Sequence, residues 1–151
     1  MNKETILTEV KSIVNSDQNR DHKLRTICKL LDKEIDVFDW TGFYLPSPEE
    51  DNMLILGPYV GEPTDHIRIP FGKGICGQAA KTLDTFVVQD VSKADNYLAC
   101  SLDVQSEIVV PIMKGEEFVG ELDIDSHTKD AITPELKELC EEICKRIAPI
   151  F

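Results

Sequence analysis

The sequence predicts an α+β domain whose central antiparallel sheet is covered on one face by helices from both ends of the chain. Three observations predict it. Apolar residues recur at helical spacing near the N-terminus and again near the C-terminus. Short segments of strand character cluster between them. A tight turn, Lys114-Gly115-Glu116-Glu117, joins two of those segments as a hairpin.

In chain order, Ile6, Val10, Ile13 and Val14 mark a helix from Lys3 to about Asn15. Ser16-Asp17-Gln18-Asn19 breaks it and offers N-cap residues to a second helix, whose apolar stripe is Leu24, Ile27, Cys28, Leu31 and Ile35. Strands are expected over Phe38–Leu45, Met53–Val60, His66–Pro70, Thr85–Asp90, Ile108–Met113 and Phe118–Ile124. A loop, Pro46 to Asn52, follows the first of them, and a short helix from Gly74 to Leu83 interrupts the series. Val91 to Ser101 reads as a loop. Thr133-Pro134-Glu135 starts the last helix with a cap and a first-turn proline, and its stripe is Leu136, Leu139, Cys140, Ile143, Cys144 and Ile147. The expected organisation is one domain over 1–151, with N-terminal helices in 1–36 and a C-terminal helix in 133–150.

A chain of 151 residues, 42% hydrophobic and 29% charged, can bury a full core without metals or staples. The net charge of −12, from 28 acids and 16 bases, argues against nucleic-acid partners and against an anionic membrane surface. No apolar run is long enough to span a bilayer, and the first residues lack the apolar core of a signal peptide, so a cytoplasmic location is expected. Five cysteines, an odd number, do not suggest a structural disulfide framework.

Two of those cysteines sit where thiols react. Cys76 lies in Phe71-Gly72-Lys73-Gly74-Ile75-Cys76-Gly77, a glycine-rich turn opening a helix, where free amides favour a negative charge such as a thiolate. Cys100 lies in a polar loop ahead of the late strands. Brought together, they supply a nucleophile and a resolving thiol. The glycine pattern also matches a dinucleotide fingerprint, but too few residues separate Gly77 from Thr85 for a crossover helix, so no nucleotide cofactor is expected. Cys28, Cys140 and Cys144 read as core residues. No histidine has the helical partner of a metal site, so no metal is expected; His22 and His127 read as surface residues.

Acids and aromatics complete the pattern. Glu107 precedes the apolar run Ile108–Ile112. Asp123 and Asp125 share a strand face, and fit a binding site as well as they fit a solvated strand face; Glu121 reads as solvated. Crowded carboxyls raise one another's pKa, and one that keeps its proton can deliver it to a leaving oxygen. Trp40, Gly42 and Tyr44, with Phe38 in the same set, face one side. They suit core packing or an apolar wall for a small ligand carrying a methyl or thioether group.

These residues together resemble the free methionine-(R)-sulfoxide reductases, stand-alone GAF-domain enzymes. The resemblance rests on Asp39-Trp40-Thr41-Gly42-Phe43-Tyr44, Leu56-Gly57-Pro58-Tyr59, Arg68 to Gly77, Ala99-Cys100, Ser106 to Pro111 and Gly120 to Ser126. It implies the GAF fold and a homodimer. It implies that Cys100 attacks the sulfoxide sulfur of free methionine sulfoxide and becomes a sulfenic acid. Cys76 would then form a disulfide with Cys100, recycled by a thioredoxin-type reductant. It further implies that Glu107, Asp123 and Asp125 hold the substrate ammonium and protonate its oxygen, while Trp40 and Tyr44 surround the methyl. The chain departs from the pattern at His66, where many members carry a third, resolving cysteine. The competing expectation is a non-catalytic GAF module that binds a small ligand as a sensor.

Overall fold

The computed structural model describes residues 2–98 and 103–151. Helices α1 (Lys3–Val14) and α2 (Arg20–Glu34) lead into strands β1 (Trp40–Pro46), β2 (Met53–Val60) and β3 (Arg68–Pro70). Helix α3 (Gly74–Thr82), strands β4 (Phe86–Val88), β5 (Ser106–Lys114) and β6 (Glu117–Ser126), and helix α4 (Pro134–Ile147) follow. The helix starts are built by local chemistry. The side chains of Asn2, Asn19 and Thr133 accept the amides of Thr5, His22 and Leu136, respectively, and Pro134 occupies the first turn of α4, where no amide is needed.

Among the described residues, the strands form one sheet in the order β3-β2-β1-β6-β5-β4, and every pairing in it is antiparallel. The hairpin turn pairs Lys114 with Glu117, as the sequence predicts. Alternation along β5 and β6 then divides the side chains between two faces. Ile108, Val110, Ile112, Leu122 and Ile124, joined by Phe43 of β1, meet the stripes of α1, α2 and α4 in one apolar core. The other face carries a second core around α3: Trp40, Tyr44, Leu54, Ile69, Ile75, Cys76, Ala79, Ala80 and Val109. No helix among the described residues is long and apolar enough to cross a membrane.

Three expectations change. Strand β1 starts at Trp40, so the alternation does not reach back to Phe38, which packs with the terminal helices rather than with Trp40 and Tyr44. Strands β3 and β4 are shorter than predicted, since each pairs on one side only, at an edge of the sheet. The segment after β4 opens with a 3₁₀ turn, Val91–Lys93, capped by the Asp90 side chain. Cys28, Cys140 and Cys144 are buried in the helix-side core, as expected. There the Cys144 thiol reaches the Val110 carbonyl at 3.8 Å and the Cys28 thiol the Pro58 carbonyl at 3.7 Å.

Candidate active site

The strand order decides what stands beside what on the α3 face. In β1 and β6, Trp40 pairs with Asp125, Gly42 with Asp123 and Tyr44 with Glu121. In β5 and β6, Glu107 pairs with Asp125 and Val109 with Asp123. Residues facing one another across a ladder lie on the same side of the sheet. Glu107, Glu121, Asp123 and Asp125 therefore share a face with Trp40 and Tyr44. All four acids are buried, at 3%, 0%, 0% and 0% exposure. Glu121 is the correction here. The sequence reading left it in solvent, but it stands two residues before Asp123 and thus on the same covered face.

The thiol of Cys76 enters from above, in the first turn of α3. Its sulfur and one carboxylate oxygen each of Glu107 and Asp123 lie within 4.8 Å of one another. Glycines shape this approach. Gly72 and Gly74 adopt φ of +91° and +65°, and a Cβ on Gly77 would stand 2.5 Å from the Pro70 carbonyl oxygen. A small cavity of about 10 Å³ opens where the groups meet, bounded by Tyr44, His66, Ile69, Cys76, Glu107 and Asp123, with Gly74, Ile75 and Leu98 closing it. Trp40 and Asp125 stand in the next row and do not border this cavity. Cys100 lies outside the described residues.

The aromatic wall is layered. The Trp40 indole stacks on Tyr59 with ring centres 5.3 Å apart and on Tyr44 at 6.4 Å. It folds back over Gly42, whose missing Cβ would lie 2.5 Å from the indole ring. The polar tips of Trp40 and Tyr44 are tied down. The Trp40 Nε1–H donates to the Glu62 carbonyl at 3.0 Å, and the Tyr44 hydroxyl donates to the His66 carbonyl at 2.7 Å. Tyr59 is a wall residue that alternation along β1 alone does not reveal, because it comes from the neighbouring strand.

Asn96 ties the segment after β4 to the turn that starts α3. Its Oδ1 accepts the Gly74 amide at 2.9 Å and its Nδ2 donates to the Gly72 carbonyl at 2.7 Å. Its own φ of +50° suits asparagine, which tolerates the left-handed region better than most residues. Gln78 adds bonds from its side-chain amide to the Gly74 and Asn96 carbonyls. Leu98, two residues on, packs against Gly74. The sequence offered no pattern pointing to this tie, which joins residues distant along the chain.

Burial dominates the electrostatics. It pushes the Cys76 thiol well above its ordinary value, and the charges of Asp123, Glu121, Glu107 and Asp125 push it further. A thiolate at the α3 N-terminus is therefore corrected to a protonated thiol. The helix end offers a fraction of a charge, whereas four acids and the loss of water oppose ionisation. Burial likewise raises Glu107, with Asp123 and Asp125 adding to it, and raises Glu121 with help from Asp123. It raises Asp123 too, although contacts with Glu107 and Cys76 offset part of the effect. Apart from the Cys76 thiol and the neighbouring carboxyls, no hydrogen-bond donor among the described residues reaches either oxygen of Glu121 or of Asp123. Their close neighbours are acids and a thiol, which bond to them only by holding a proton between the pair. The cluster thus keeps protons in a dry site, where they are available to a leaving oxygen.

Comparison with known proteins agrees with this geometry. The GAF domain family matches residues 19–150. A protein of Saccharomyces cerevisiae named free methionine-R-sulfoxide reductase is 34% identical over 97% of this chain and 86% of its own length. Two solved structures superpose closely. The reduced form of fRMsr of Staphylococcus aureus has a TM-score of 0.90 at 36% identity, covering 99% of this chain and 94% of that one. The free methionine-R-sulfoxide reductase of Neisseria meningitidis, in complex with its substrate, has a TM-score of 0.91 at 32% identity, covering 99% and 87%. In sequence and in fold, the chain belongs to the GAF domain family and, within it, to the family of the free methionine-R-sulfoxide reductases.

Proposed function

We propose that this protein reduces free methionine-(R)-sulfoxide to methionine with its own thiols. The observation that carries the reading is the enclosed α3-face pocket, where Cys76 and a proton-holding pair of carboxyls, Glu107 and Asp123, meet beneath an aromatic wall. The S. cerevisiae relative named for this reaction matches nearly the whole chain.

In the proposed reaction the Cys100 thiol attacks the sulfoxide sulfur. The thiol proton passes to the Glu107–Asp123 pair as the sulfoxide oxygen takes a proton from it. That oxygen then passes as hydroxyl to the Cys100 sulfur, and the bond between the two sulfurs breaks. Methionine leaves as the two-electron-reduced thioether, and Cys100 is left oxidised as a sulfenic acid. Cys76 then attacks that sulfenic acid, water leaves, and a Cys76–Cys100 disulfide forms. A thioredoxin-type dithiol reduces the disulfide by exchange and restores both thiols. Asp125 and the ionised member of the acid pair hold the substrate ammonium. Trp40 and Tyr44 pack around the methyl group. The raised Cys76 thiol fits its late role, since a resolving thiol reacts only after the substrate has left. An amino acid is far larger than the present cavity, so Leu98 must shift from Gly74 to admit it. A homodimer in the cytoplasm is part of the same reading.

The sensor reading draws on the tightness of the cavity and on the protonated state of Cys76, which suit a ligand held without turnover. Kinetics with purified variants separate the two. Cys100→Ser should abolish reduction of free methionine-(R)-sulfoxide. Cys76→Ser should keep one stoichiometric turnover and slow the thioredoxin-coupled rate. Full activity in Cys100→Ser would remove the mechanism, and binding of the sulfoxide without any product in the wild type would favour the sensor.

A further inference from the structure

We propose that the α3-face pocket is also a binding site for a thiophilic divalent cation, with zinc the biological ion, ligated by Cys76 Sγ and one carboxylate oxygen each of Glu107 and Asp123. The three ligand atoms come from three different elements, the first turn of α3 and strands β5 and β6, and lie within 4.8 Å of one another. Around one tetrahedral zinc, with bonds near 2.0–2.3 Å, such atoms stand about 3.5 Å apart. The site therefore needs a contraction of about an ångström, within reach of side-chain torsions.

Three further observations point to a cation. Both oxygens of Asp123 and the Oε1 of Glu107 are buried with no partner outside this cluster of acids and thiol, so the only positive charge they meet is a shared proton, whose place a cation can take. With Leu98 packed on Gly74, the cavity of about 10 Å³ has room for a single ion, whereas an organic ligand enters only once Leu98 has shifted. The donor set mixes one sulfur with oxygens. Magnesium and calcium take oxygen shells, whereas zinc and cadmium accept thiolate and carboxylate together. Glu121, whose carboxyl also borders Cys76, is available as a fourth donor. On coordination Cys76 and the Glu107–Asp123 pair release the protons they hold to solvent, the sulfur and the two carboxylate oxygens each give a lone pair to the metal, and no oxidation state changes.

Such an ion occupies the resolving thiol and two acids assigned to the substrate, so it inhibits turnover; that consequence, unlike the binding itself, rests on the reductase reading. The test uses reduced, chelator-treated full-length protein titrated with cadmium chloride and followed by the ultraviolet thiolate-to-cadmium charge-transfer band. One equivalent should saturate the band. Cys76→Ser should remove it, Cys100→Ser should keep it, and Glu107→Gln and Asp123→Asn should each weaken binding at least tenfold, with far-ultraviolet circular dichroism reporting an intact fold. Absence of the band in the wild type, or its survival in Cys76→Ser, overturns the site. Should Cys76→Ser unfold, undiminished cadmium affinity in both acid variants overturns it instead. Zinc chloride should displace the cadmium band and suppress sulfoxide reduction until a chelator is added. A metal-free protein that never reduces the sulfoxide sinks the reductase reading and leaves the cadmium band to decide the ion site by itself.

Discussion

The two faces of the sheet are equally dry and chemically opposite. On one, Ile108, Val110, Leu122 and Ile124 interlock with three helices. On the other, the intervening residues Glu107, Glu121, Asp123 and Asp125 are buried beneath a single short helix. Burial on the first face stabilises the fold through the removal of apolar surface from water. Burial on the second opposes it, because carboxyls crowded together away from water are costly to dehydrate. The aliphatic face is the foundation that lets the acid face hold an unfavourable arrangement, and that arrangement is where binding and chemistry reside.

The comparison can be broken most severely by exchanging the chemistry of the faces. Ile124→Asp places a lone charge in the helix-side core and should lose more than about 4 kcal/mol, enough to leave the chain largely unfolded in chemical denaturation. A folded, stable Ile124→Asp protein would mean that the faces do not differ as described. Glu107→Gln, the converse change on the acid face, should leave stability equal or slightly higher while lowering kcat for sulfoxide reduction about a hundredfold. An unchanged rate at neutral pH would take Glu107 out of the proton relay.

Smaller changes sharpen the contrast. Gly42→Ala forces a methyl against the Trp40 indole and should cost about 1–3 kcal/mol, with a shift in tryptophan fluorescence as the ring is displaced. Unaltered fluorescence would show that the wall is looser than the geometry indicates. The mildest effect should be the dependence of stability on pH. In the unfolded chain these carboxyls ionise near pH 4, whereas in the fold burial raises Glu107, Glu121 and Asp123. The folded state then binds more protons. The stability these groups contribute is complete below the unfolded value and is lost as pH rises toward the folded values. The melting temperature should therefore fall as pH rises above the unfolded carboxyl value, and Glu121→Gln should flatten that fall. An identical slope in the variant would show that Glu121 ionises freely.

How much of this was legible depended on how local the cause was. Helix starts at Asn2, Asn19 and Thr133, the hairpin at Gly115 and the strands β2, β5 and β6 follow from neighbouring residues, and the sequence reads them within a residue or two. Cys76, Glu107, Asp123, Trp40 and Tyr44 stand out by residue type, and the structure gathers them on one face. Glu121 was misjudged because alternation says which residues share a face but not whether that face is covered. Phe38 was misplaced because the strand stops short of it. Tyr59 and Asn96 enter through contacts made between separate segments.

The amino-acid order by itself determined the elements, their alternation and the chemistry available, since capping, turn formation and side-chain period act over a few residues. The tertiary structure alone decided that β6 lies between β1 and β5, so that Asp125 stands beside Trp40 and Glu107, and Asp123 beside Gly42 and Val109. It also decided that α3 covers that face and turns a polar strand face into a dry site. Both outcomes depend on long-range packing, in which aliphatic burial on the far side of the sheet outweighs the local preference of carboxyls for water.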